Sequence, residues 1–435
     1  MYNYFRVAYY VASLLRHTRW SSSELSKYQN KRVRAIVKYA YEHVPFYREK
    51  FSEVGLKPED VKSIEDLNKL PIIGREELQR NSERLVSEEF DVGKLGVVST
   101  SGSTGKPLFT YITKKEEEFR HAKLLRPHIV CGQKPRDRWV LLGPPQHSKK
   151  LNRLQRMFRL YSPFFVSLFD AVPEQLRSIK MLKPDVLDGY SSSLFLLAQE
   201  IANSGFDGIK PKFIMGGAEL LDESSLRIIE KSFNAPYYDQ YASEELQMIA
   251  WQCREKDGYH VDADTVVLQI VDEKGDEVSP GESGEIVCTS LFNYAMPFIR
   301  YALDDVGIPS EEKNCKCGRS FPLMRMVEGR KDSMVKFSNG RKVPALVFGW
   351  IMEYYKFYRW VYQYQIVQKK VDSLKVFIKK KNDRCDENAM AAELVRHMHK
   401  MLDVNESELS VVVEFVDEIP LDKSGKLRKV ISEVR

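Results

Sequence analysis

The chain has 435 residues, of which 43% are hydrophobic and 29% charged, and its formal net charge at pH 7 is +6. This length suggests two or three domains with a sizeable core, and the composition is typical of a soluble globular protein. The modest charge does not favour a nucleic-acid partner, and no apolar run reaches the ~18 residues that span a bilayer. The six cysteines occur without a secretory signal, so we expect a reducing, cytoplasmic location and no disulfide framework.

The N-terminal region shows helical periodicity. The apolar and aromatic run from Val7 to Leu15 predicts an amphipathic first helix that packs on the body of the protein. A helix lying at a membrane surface is the weaker alternative, so membrane contact is not expected. Helical spacing continues over residues 23–44 and ends at Pro45, and a short helix with a turn follows at residues 63–70.

A run of hydroxyl residues and glycines with one lysine, Ser99–Pro107, lies between two short apolar runs. That order predicts a strand, a flexible loop and a second strand. Glycines let backbone N–H groups approach an anionic group closely, and Lys106 adds a charge suited to phosphate. The loop is not a Walker A motif, because Thr100 stands where the first glycine would be and Pro107 follows the lysine. A surface turn is the alternative interpretation.

Helices and short buried strands alternate through the middle of the chain. Helical patterns cover residues 114–131, 173–181, 192–203 and 222–232, and short apolar runs at 140–142, 186–187 and 213–215 separate them. This alternation indicates α/β layers.

The pattern changes after Gly258. Residues 265–271 and 284–289, with a turn after the first run, predict a β-hairpin and hence a small β subdomain. After Arg330, strands at 361–367 and 374–378, a helix at 387–402 and a strand at 409–415 predict a separate domain of roughly a hundred residues.

Further segments carry a family likeness together with the loop at 99–107. They are Ile214–Glu219, Tyr241–Glu245, Gly329–Asp332 and Pro420–Lys426. The loop at 99–107 resembles the phosphate loop of the adenylate-forming superfamily. The four segments resemble, in the order given, the adenine segment, the Tyr-Gly-x-Ser/Thr-Glu motif, the hinge and the terminal lysine loop of that superfamily. The likeness is closest to its phenylacetate–CoA ligase and capsular-polysaccharide-biosynthesis branch, which residues 40–47, 67–73, 188–191 and 297–301 also resemble.

The resemblance implies an α/β fold, with a large N-terminal body of layered α/β structure, a small β subdomain, and a small, mobile α+β C-terminal lid. It places the adenylate-forming domain at residues 1–330 and the lid at 331–435. It also implies an acid–thiol ligase reaction, in which a carboxylic acid attacks ATP to give acyl-AMP and pyrophosphate, and coenzyme A then takes the acyl group. Both steps bring like charges together, so they need Mg²⁺, other cations and positioned donors.

The resemblance assigns roles to individual residues. It implies that the β- and γ-phosphates of ATP are bound by Ser101, Gly102, Ser103, Thr104, Gly105 and Lys106. It implies that the adenine is bordered by Gly217, Ala218, Glu219 and Tyr241. The ribose contact is Asp305, and Arg330 is a second contact to ribose or phosphate. Glu245 becomes the magnesium ligand, since that hard cation prefers carboxylate oxygens. Lys426 becomes the adenylation lysine that bridges the substrate carboxylate and the α-phosphate. The alternatives are a surface glutamate and an ordinary exposed lysine.

The chain departs from the family motif at two positions. Ala242 replaces the usual glycine, and Glu244 replaces the usual serine or threonine. The second change removes a hydroxyl that meets the α-phosphate and adds negative charge there. Ser243 is the nearest substitute for that hydroxyl.

A second constellation combines cysteines with a histidine. Cys253, His260, Cys315 and Cys317 supply three thiolates and an imidazole, the donor set of a closed tetrahedral zinc site. Some members of the branch are similar in carrying a metal here. We expect a structural Zn²⁺ that braces the β subdomain and takes no part in catalysis. Four unconnected residues are the alternative.

Three functional interpretations stay open. The first is an acid–CoA ligase. The second keeps adenylation but passes the acyl group to an amine, a sugar or a carrier protein, for example in surface-polysaccharide assembly. The third is a non-catalytic nucleotide-binding relative, which Glu244 favours slightly and the joint presence of Lys106, Glu245, Asp305 and Lys426 disfavours. The acid itself is not readable from the sequence, and the oligomeric state stays open, a homodimer included.

Overall fold

The computed structural model describes residues 3–99, 108–144, 160–312, 314–330, 335–339, 341–343, 345–382, 385–421 and 427–434. The chain divides into two units, each built from separate stretches of sequence. The first unit comprises Met1–Asp137, Leu151–Ser162 and Tyr238–Val327, and the second comprises Arg138–Lys150, Pro163–Tyr237 and Glu328–Arg435. Within the described ranges, no helix is both long enough and apolar enough to cross a membrane.

The helices and strands are numbered in chain order. The helices are α1 (Tyr4–His17), α2 (Ser22–His43), α3 (Pro45–Glu53), α4 (Arg75–Arg80), α5 (Lys114–Cys131), α6 (Val172–Leu182), α7 (Ser191–Ser204), α8 (Glu223–Phe233), α9 (Ala345–Glu353) and α10 (Glu387–Leu402). The strands are β1 (Gly96–Ser99), β2 (Phe109–Ile112), β3 (Trp139–Gly143), β4 (Phe164–Ser167), β5 (Val186–Tyr190), β6 (Phe213–Gly217), β7 (Tyr237–Ser243), β8 (Gln247–Gln252), β9 (Tyr259–Val261), β10 (Val266–Val271), β11 (Gly284–Ser290), β12 (Tyr301–Pro309), β13 (Leu323–Arg330), β14 (Val335–Lys336), β15 (Lys342–Val343), β16 (Val361–Lys370), β17 (Ser373–Lys380), β18 (Ser410–Phe415) and β19 (Val430–Ser432).

Local signals in the sequence set the ends of the long helices. Ser21 and Glu24 form a capping box at the start of α2, and Thr113 and Glu116 form another at the start of α5. Gly132 ends α5 with φ of 108°, a left-handed conformation that glycine adopts without a Cβ penalty. Helix α5 therefore covers the predicted residues 114–131. The predicted short helix at 63–70 is a 3₁₀ turn at Glu65–Lys69.

In the first unit, helix α1 packs on the body as the sequence predicts. Val7 and Leu14 of α1 are buried. Nδ1 of His17 lies 2.8 Å from Oδ2 of Asp264, and Arg126 donates to both oxygens of that carboxylate at 2.8 Å. Because breaking a buried ion pair leaves an uncompensated charge, this network anchors the helix firmly.

The strands of the first unit form an antiparallel region with the order β10-β11-β12-β13-β9-β8-β7. Its predicted hairpin is confirmed, since β10 pairs with β11 in antiparallel register, Val266 opposite Ser290. Strands β1 and β2 form a second, two-stranded hairpin.

The second unit contains a parallel region with the order β6-β5-β3-β4, on which α6, α7 and α8 pack over a shared apolar core. Its C-terminal part is another sheet with the order β18-β17-β16-β19, on which α9 and α10 pack. The predicted β-β-α-β order after residue 360 is confirmed by β16, β17, α10 and β18. The expected α/β fold with a smaller α+β C-terminal part is thus confirmed, whereas the boundary at residue 330 and the mobility of the C-terminal part stay predictions.

Candidate active site

The predicted phosphate loop connects the two strands of a hairpin. Ser99, the last residue of β1, pairs with Phe109, the first residue of β2, so the strands on either side of the loop meet where it begins and ends. The predicted strand–loop–strand order is confirmed at these flanks. The loop residues Ser101–Lys106 lie outside the described residues.

Tyr241 and Asp305 meet in the first unit. Tyr241 lies on β7 and Asp305 on β12, and the tyrosine hydroxyl donates a hydrogen bond of 2.7 Å to Oδ2 of the aspartate. Asp304, immediately before it, has φ of 59°, a left-handed conformation that is uncommon outside glycine. Strained backbone conformations persist where the surrounding structure holds them, and they cluster at active sites and ligand sites. The strained residue here directly precedes the predicted ribose carboxylate.

Glu245 is buried, with 2% of its surface exposed, and it contacts strand β12, which carries Asp305. Its Oε1 accepts hydrogen bonds of 3.0 Å from Arg75 and 3.0 Å from the hydroxyl of Tyr301, the first residue of β12. Burial and the Glu245 carboxylate hold the pKa of Tyr301 well above its usual range, so the hydroxyl stays protonated and donates. The interpretation of Glu245 as a surface glutamate is therefore wrong.

Arg120 holds the turn that carries Glu245. Its guanidinium donates to the backbone carbonyl of Glu245 at 3.0 Å and to that of Glu244 at 2.6 Å. Ser243 Oγ accepts from the Leu246 backbone N–H at 3.1 Å, so this hydroxyl already braces the turn. The side chain of Glu244 is exposed. The side chain of Glu244, which replaces the family's serine or threonine, is therefore exposed to solvent, whereas the backbone carbonyl of Glu244 is held by Arg120.

The predicted adenine segment ends β6 in the second unit. A Cβ on Gly216 would lie 1.8 Å from the Tyr237 hydroxyl, so only glycine permits this close approach. That hydroxyl lies 2.8 Å from Ser191 Oγ, which donates to the Gly217 carbonyl at 3.0 Å.

The next two residues of the segment leave the strand. Ala218 has φ of 69° and is exposed. Oε2 of Glu219 accepts from the backbone N–H of Ser192 at 3.0 Å. The predicted adenine segment therefore places an exposed residue with positive φ directly after a buried strand.

Four further predicted residues have no side-chain description. Arg330 is the last residue of β13, where the structure gives only the backbone. The hinge residues Lys331 and Asp332 and the adenylation lysine Lys426 lie outside the described residues.

The four predicted zinc ligands lie together in the first unit. The ligand atoms of Cys253, His260, Cys315 and Cys317 all lie within 4.8 Å of one another. The sulfurs of Cys253 and Cys315 are 3.5 Å apart, and the Cys317 sulfur is 3.3 Å from Nε2 of His260. Zn–S bonds of about 2.3 Å in a tetrahedron separate sulfurs by about 3.8 Å, so the donor set fits zinc. The interpretation as four unconnected residues is wrong.

The pKa values in the cluster favour the metal-binding form at His260 and Cys317 and disfavour it at the other two cysteines. Burial, with Arg319 nearby, lowers the pKa of His260 to about 4, so the imidazole is neutral and can coordinate. Burial raises the pKa of the Cys253 and Cys315 thiols. Burial acts the same way on Cys317, but hydrogen bonds from Arg319 and Cys315 outweigh it and lower its pKa. A divalent cation would offset the cost of forming thiolates at these two buried positions.

The sequence signals no role for Arg75 or Arg120. The two arginines reach Glu245 and its turn across 170 and 125 positions of sequence, so no local spacing signals the contact. Asp188, on β5, accepts from Trp139 Nε1 at 3.2 Å, and burial raises its pKa to about 7. This residue belongs to the segment 188–191 that resembles the branch, but the sequence predicts neither its burial nor its contact with Trp139.

Relatives in sequence show the family of the chain. A family model described as the CapK C-terminal domain matches residues 338–433. Over 327 residues the chain is 30% identical to phenylacetate–coenzyme A ligase of Pseudomonas putida, which covers 72% of this chain and 72% of that protein. Over 431 residues it is 22% identical to Protein CapK of Staphylococcus aureus, which covers 95% of this chain and 90% of that protein.

Solved structures share the fold. 2-Hydroxyisobutyryl-CoA ligase in the postadenylation state, in complex with 2-HIB-AMP, gives a TM-score of 0.80 at 19% identity and covers 96% of this chain and 91% of that one. The anthranilate CoA ligase AuaEII in complex with anthranoyl-AMP gives a TM-score of 0.58 at 17% identity, covering 84% and 74%.

These likenesses confirm both the sequence-based family resemblance and the predicted class of enzyme. The chain belongs to the adenylate-forming superfamily of AMP-forming ligases, in the branch of the phenylacetate–coenzyme A ligases and CapK.

Proposed function

We propose that this protein activates a carboxylic acid with ATP and transfers the acyl group to coenzyme A. In the first step a carboxylate oxygen attacks the α-phosphorus, the bond to the bridging oxygen breaks, and pyrophosphate leaves. In the second step the thiol sulfur attacks the acyl carbon, the bond to AMP breaks, and the thiol loses its proton. The relatives in sequence are named phenylacetate–coenzyme A ligases, so an aromatic acid such as phenylacetate is the first substrate to test.

The hydrogen bond between Tyr241 and Asp305 is the observation that carries the proposal. The aspartate can accept both ribose hydroxyls, and the tyrosine ring offers a face for adenine. The 2.7 Å bond holds the carboxylate in place before a nucleotide arrives. Such preorganisation lowers the ordering cost of binding.

Glu245 would hold Mg²⁺, whose charge would neutralise phosphate oxygens. Its carboxylate is buried, and both of its hydrogen bonds from Arg75 and Tyr301 end on Oε1. Oxygen ligands suit this cation, so the donor fits. Arg75 already supplies positive charge to the same carboxylate, and we therefore expect weaker magnesium binding than an unpaired glutamate would give.

The remaining roles follow from the family motifs. Ser101–Lys106 would bind the β- and γ-phosphates, Gly217–Glu219 would border the adenine, and Arg330 would contact ribose or phosphate. Lys426 would bridge the substrate carboxylate and the α-phosphate, where negative charge accumulates in the first step. Cations placed there lower the barrier because they favour the transition state over the separated anions.

The cysteine–histidine cluster would hold a structural zinc ion. Its ligands come from residues around β9 and from the segment between β12 and β13, which are distant in sequence. A metal there would fasten these segments together and contribute folding free energy. A closed set of four protein ligands leaves no position for substrate, so the ion would not catalyse.

A different acyl acceptor is the second candidate function. The likeness to Protein CapK extends over 95% of this chain, beyond the 72% covered by the Pseudomonas putida ligase. This favours testing an amine, a sugar or a carrier protein, as in surface-polysaccharide assembly, beside coenzyme A. The adenylation step is the same in both candidates.

ATP–pyrophosphate exchange tests the first step, and hydroxylamine trapping detects the acyl-AMP. Exchange that depends on phenylacetate or another carboxylic acid supports adenylation. Thioester formation on adding coenzyme A then separates the two candidates. ATP binding without exchange across a broad panel of acids would instead favour the non-catalytic relative.

A further inference from the structure

The end of the chain is anchored on helix α8 by a buried ion pair within the second unit. Nζ of Lys429 lies 2.7 Å from Oδ2 of Asp222 and 3.1 Å from Oγ of Ser225. The ammonium also lies over the rings of Phe195, at 5.0 Å, and Tyr364, at 5.4 Å. One cation thus joins the residues that begin α8 to both α7 and the C-terminal sheet.

The charges of this pair depend on each other. The Asp222 side chain is only 3% exposed and that of Lys429 17%. Burial alone would raise the pKa of Asp222, but Lys429 and neighbouring donors lower it to about 2. Removing one partner would leave the other charge buried and uncompensated, which is strongly unfavourable. Each charge therefore needs the other to stay buried.

Two hydrogen bonds surround the pair. The backbone N–H of Leu427 donates to Ser192 Oγ at 3.3 Å, and Gln199 donates to the Tyr362 carbonyl at 2.7 Å. Beside them lies a cavity of about 140 Å³, lined in part by Phe195 and Tyr362. Since the cavity interrupts the apolar packing there, polar contacts do much to hold residues 427–429 in place.

The anchored residues follow the predicted adenylation lysine directly. Leu427 is the next residue after Lys426, and consecutive Cα atoms lie about 3.8 Å apart. Lys429 lies two positions further on. Lys426 is therefore bonded directly to a residue whose backbone is hydrogen-bonded to α7, three positions before the anchored ammonium.

We propose that Asp222 is a positioning residue for the acyl-AMP-forming step, acting through Lys429 to hold the end of the chain that carries Lys426. This rests on the proposed function. Asp222 touches neither substrate nor nucleotide in this role. Its effect is confined to the step in which Lys426 acts, because transfer of the acyl group from AMP needs no charge between the carboxylate and the α-phosphate.

Asp222→Asn is the cleanest variant. Asp222 also caps α8, since its Oδ1 accepts from the Ser225 backbone N–H at 2.8 Å, and asparagine caps helices equally well. The variant thus keeps the cap and removes the charge. Glu223→Gln, at the neighbouring position, is the matched control because it removes an exposed carboxylate, which pairs with exposed Arg227. Lys429→Gln removes the other partner and serves if the first variant folds poorly.

The two half-reactions are measured separately with phenylacetate, or with whichever acid supports exchange in the wild type. Hydroxylamine trapping reports acyl-AMP formation, and thioester release from supplied acyl-AMP reports the transfer. We expect Asp222→Asn and Lys429→Gln to lose about 10- to 100-fold in the first and less than about twofold in the second. Glu223→Gln should match the wild type in both. Hydrogen exchange at the Leu427 amide should rise in the two pair variants alone.

Equal losses in both half-reactions, or no loss in either, would overturn the positioning role while leaving the ligase function intact. A wild type that supports no exchange with any acid would instead remove the proposed function, and the positioning role with it.

Discussion

The Tyr241 hydroxyl donates a hydrogen bond of 2.7 Å to Asp305, joining β7 to β12 across 64 positions of sequence. Glu245 follows the same strand β7, and its carboxylate bonds to Tyr301 at the start of β12. Two strands thus gather the predicted adenine, ribose and magnesium residues of the first unit.

Asp305→Asn should raise the KM for ATP by about 10- to 100-fold, the typical loss when a charged hydrogen-bond acceptor is removed. Tyr241→Phe keeps the aromatic face and removes only the hydroxyl, so its KM should rise less. Pyrophosphate exchange at varied ATP concentration measures both. An unchanged KM in Asp305→Asn would remove this residue from the ribose site.

Glu245→Gln should raise the Mg²⁺ concentration needed for half-maximal exchange, because the amide is a poorer ligand for this cation than a carboxylate. Arg75→Gln should act in the opposite direction, since it frees the carboxylate from a competing positive charge. Magnesium titrations of the two variants, with thermal stability measured beside them, check this. A shift of the same sign in both would indicate that the pair is structural.

The purified protein should contain about one zinc ion per chain, bound by the four clustered ligands. Cys315→Ser should lower the thermal midpoint more than it changes the KM for ATP, because a structural metal contributes folding free energy. Cys288→Ser is a matched control. Cys288, like Cys315, is a buried cysteine of the first unit, but it lies on β11, outside the cluster. Zinc-free protein, prepared without chelators, would eliminate the site and leave the adenylation argument untouched.

Asp188 should make the protein less stable as the pH rises. Burial raises its folded pKa from 3.8 to about 7, so between these values the folded state binds more protons than the unfolded state. Its penalty therefore grows as the pH rises from about 4 to about 7 and is constant above. Asp188→Asn should raise the thermal midpoint at about pH 8 more than at about pH 5.

Asp185→Asn provides the opposite control for that measurement. Its carboxylate accepts from the Arg138 backbone N–H and pairs with Lys212, and these contacts outweigh burial and lower its pKa. It stabilises the fold above its unfolded pKa and loses this effect as the pH falls. Parallel stability curves for wild type and Asp188→Asn would contradict the shifted pKa of Asp188.

Local patterns predicted much of the fold. The bounds of α5 follow from a capping box and Gly132, and strands β1 and β2 follow from the two short apolar runs. The cysteine–histidine cluster was also predictable, since three cysteines and a histidine form the donor set of a structural zinc site.

Contacts between distant segments were not predictable. Arg75 lies in a short helix far from Glu245, and Asp222 reads as an ordinary helix cap until the fold brings Lys429 to it across 207 positions. Each unit is also assembled from interleaved stretches of the chain, and no local pattern in the sequence signals that interleaving. Pair contacts of this kind depend on topology, and no local propensity encodes them.

The proposed adenylation step is tested by ATP–pyrophosphate exchange with a panel of carboxylic acids, run on wild type and Lys426→Ala together. We expect acid-dependent exchange in the wild type and a loss of ~10²–10³ in the variant, the usual effect of removing one charge-stabilising group. Thioester formation from supplied acyl-AMP should survive in the variant. Exchange in Lys426→Ala at the wild-type rate, or none in the wild type with any acid, would contradict the account.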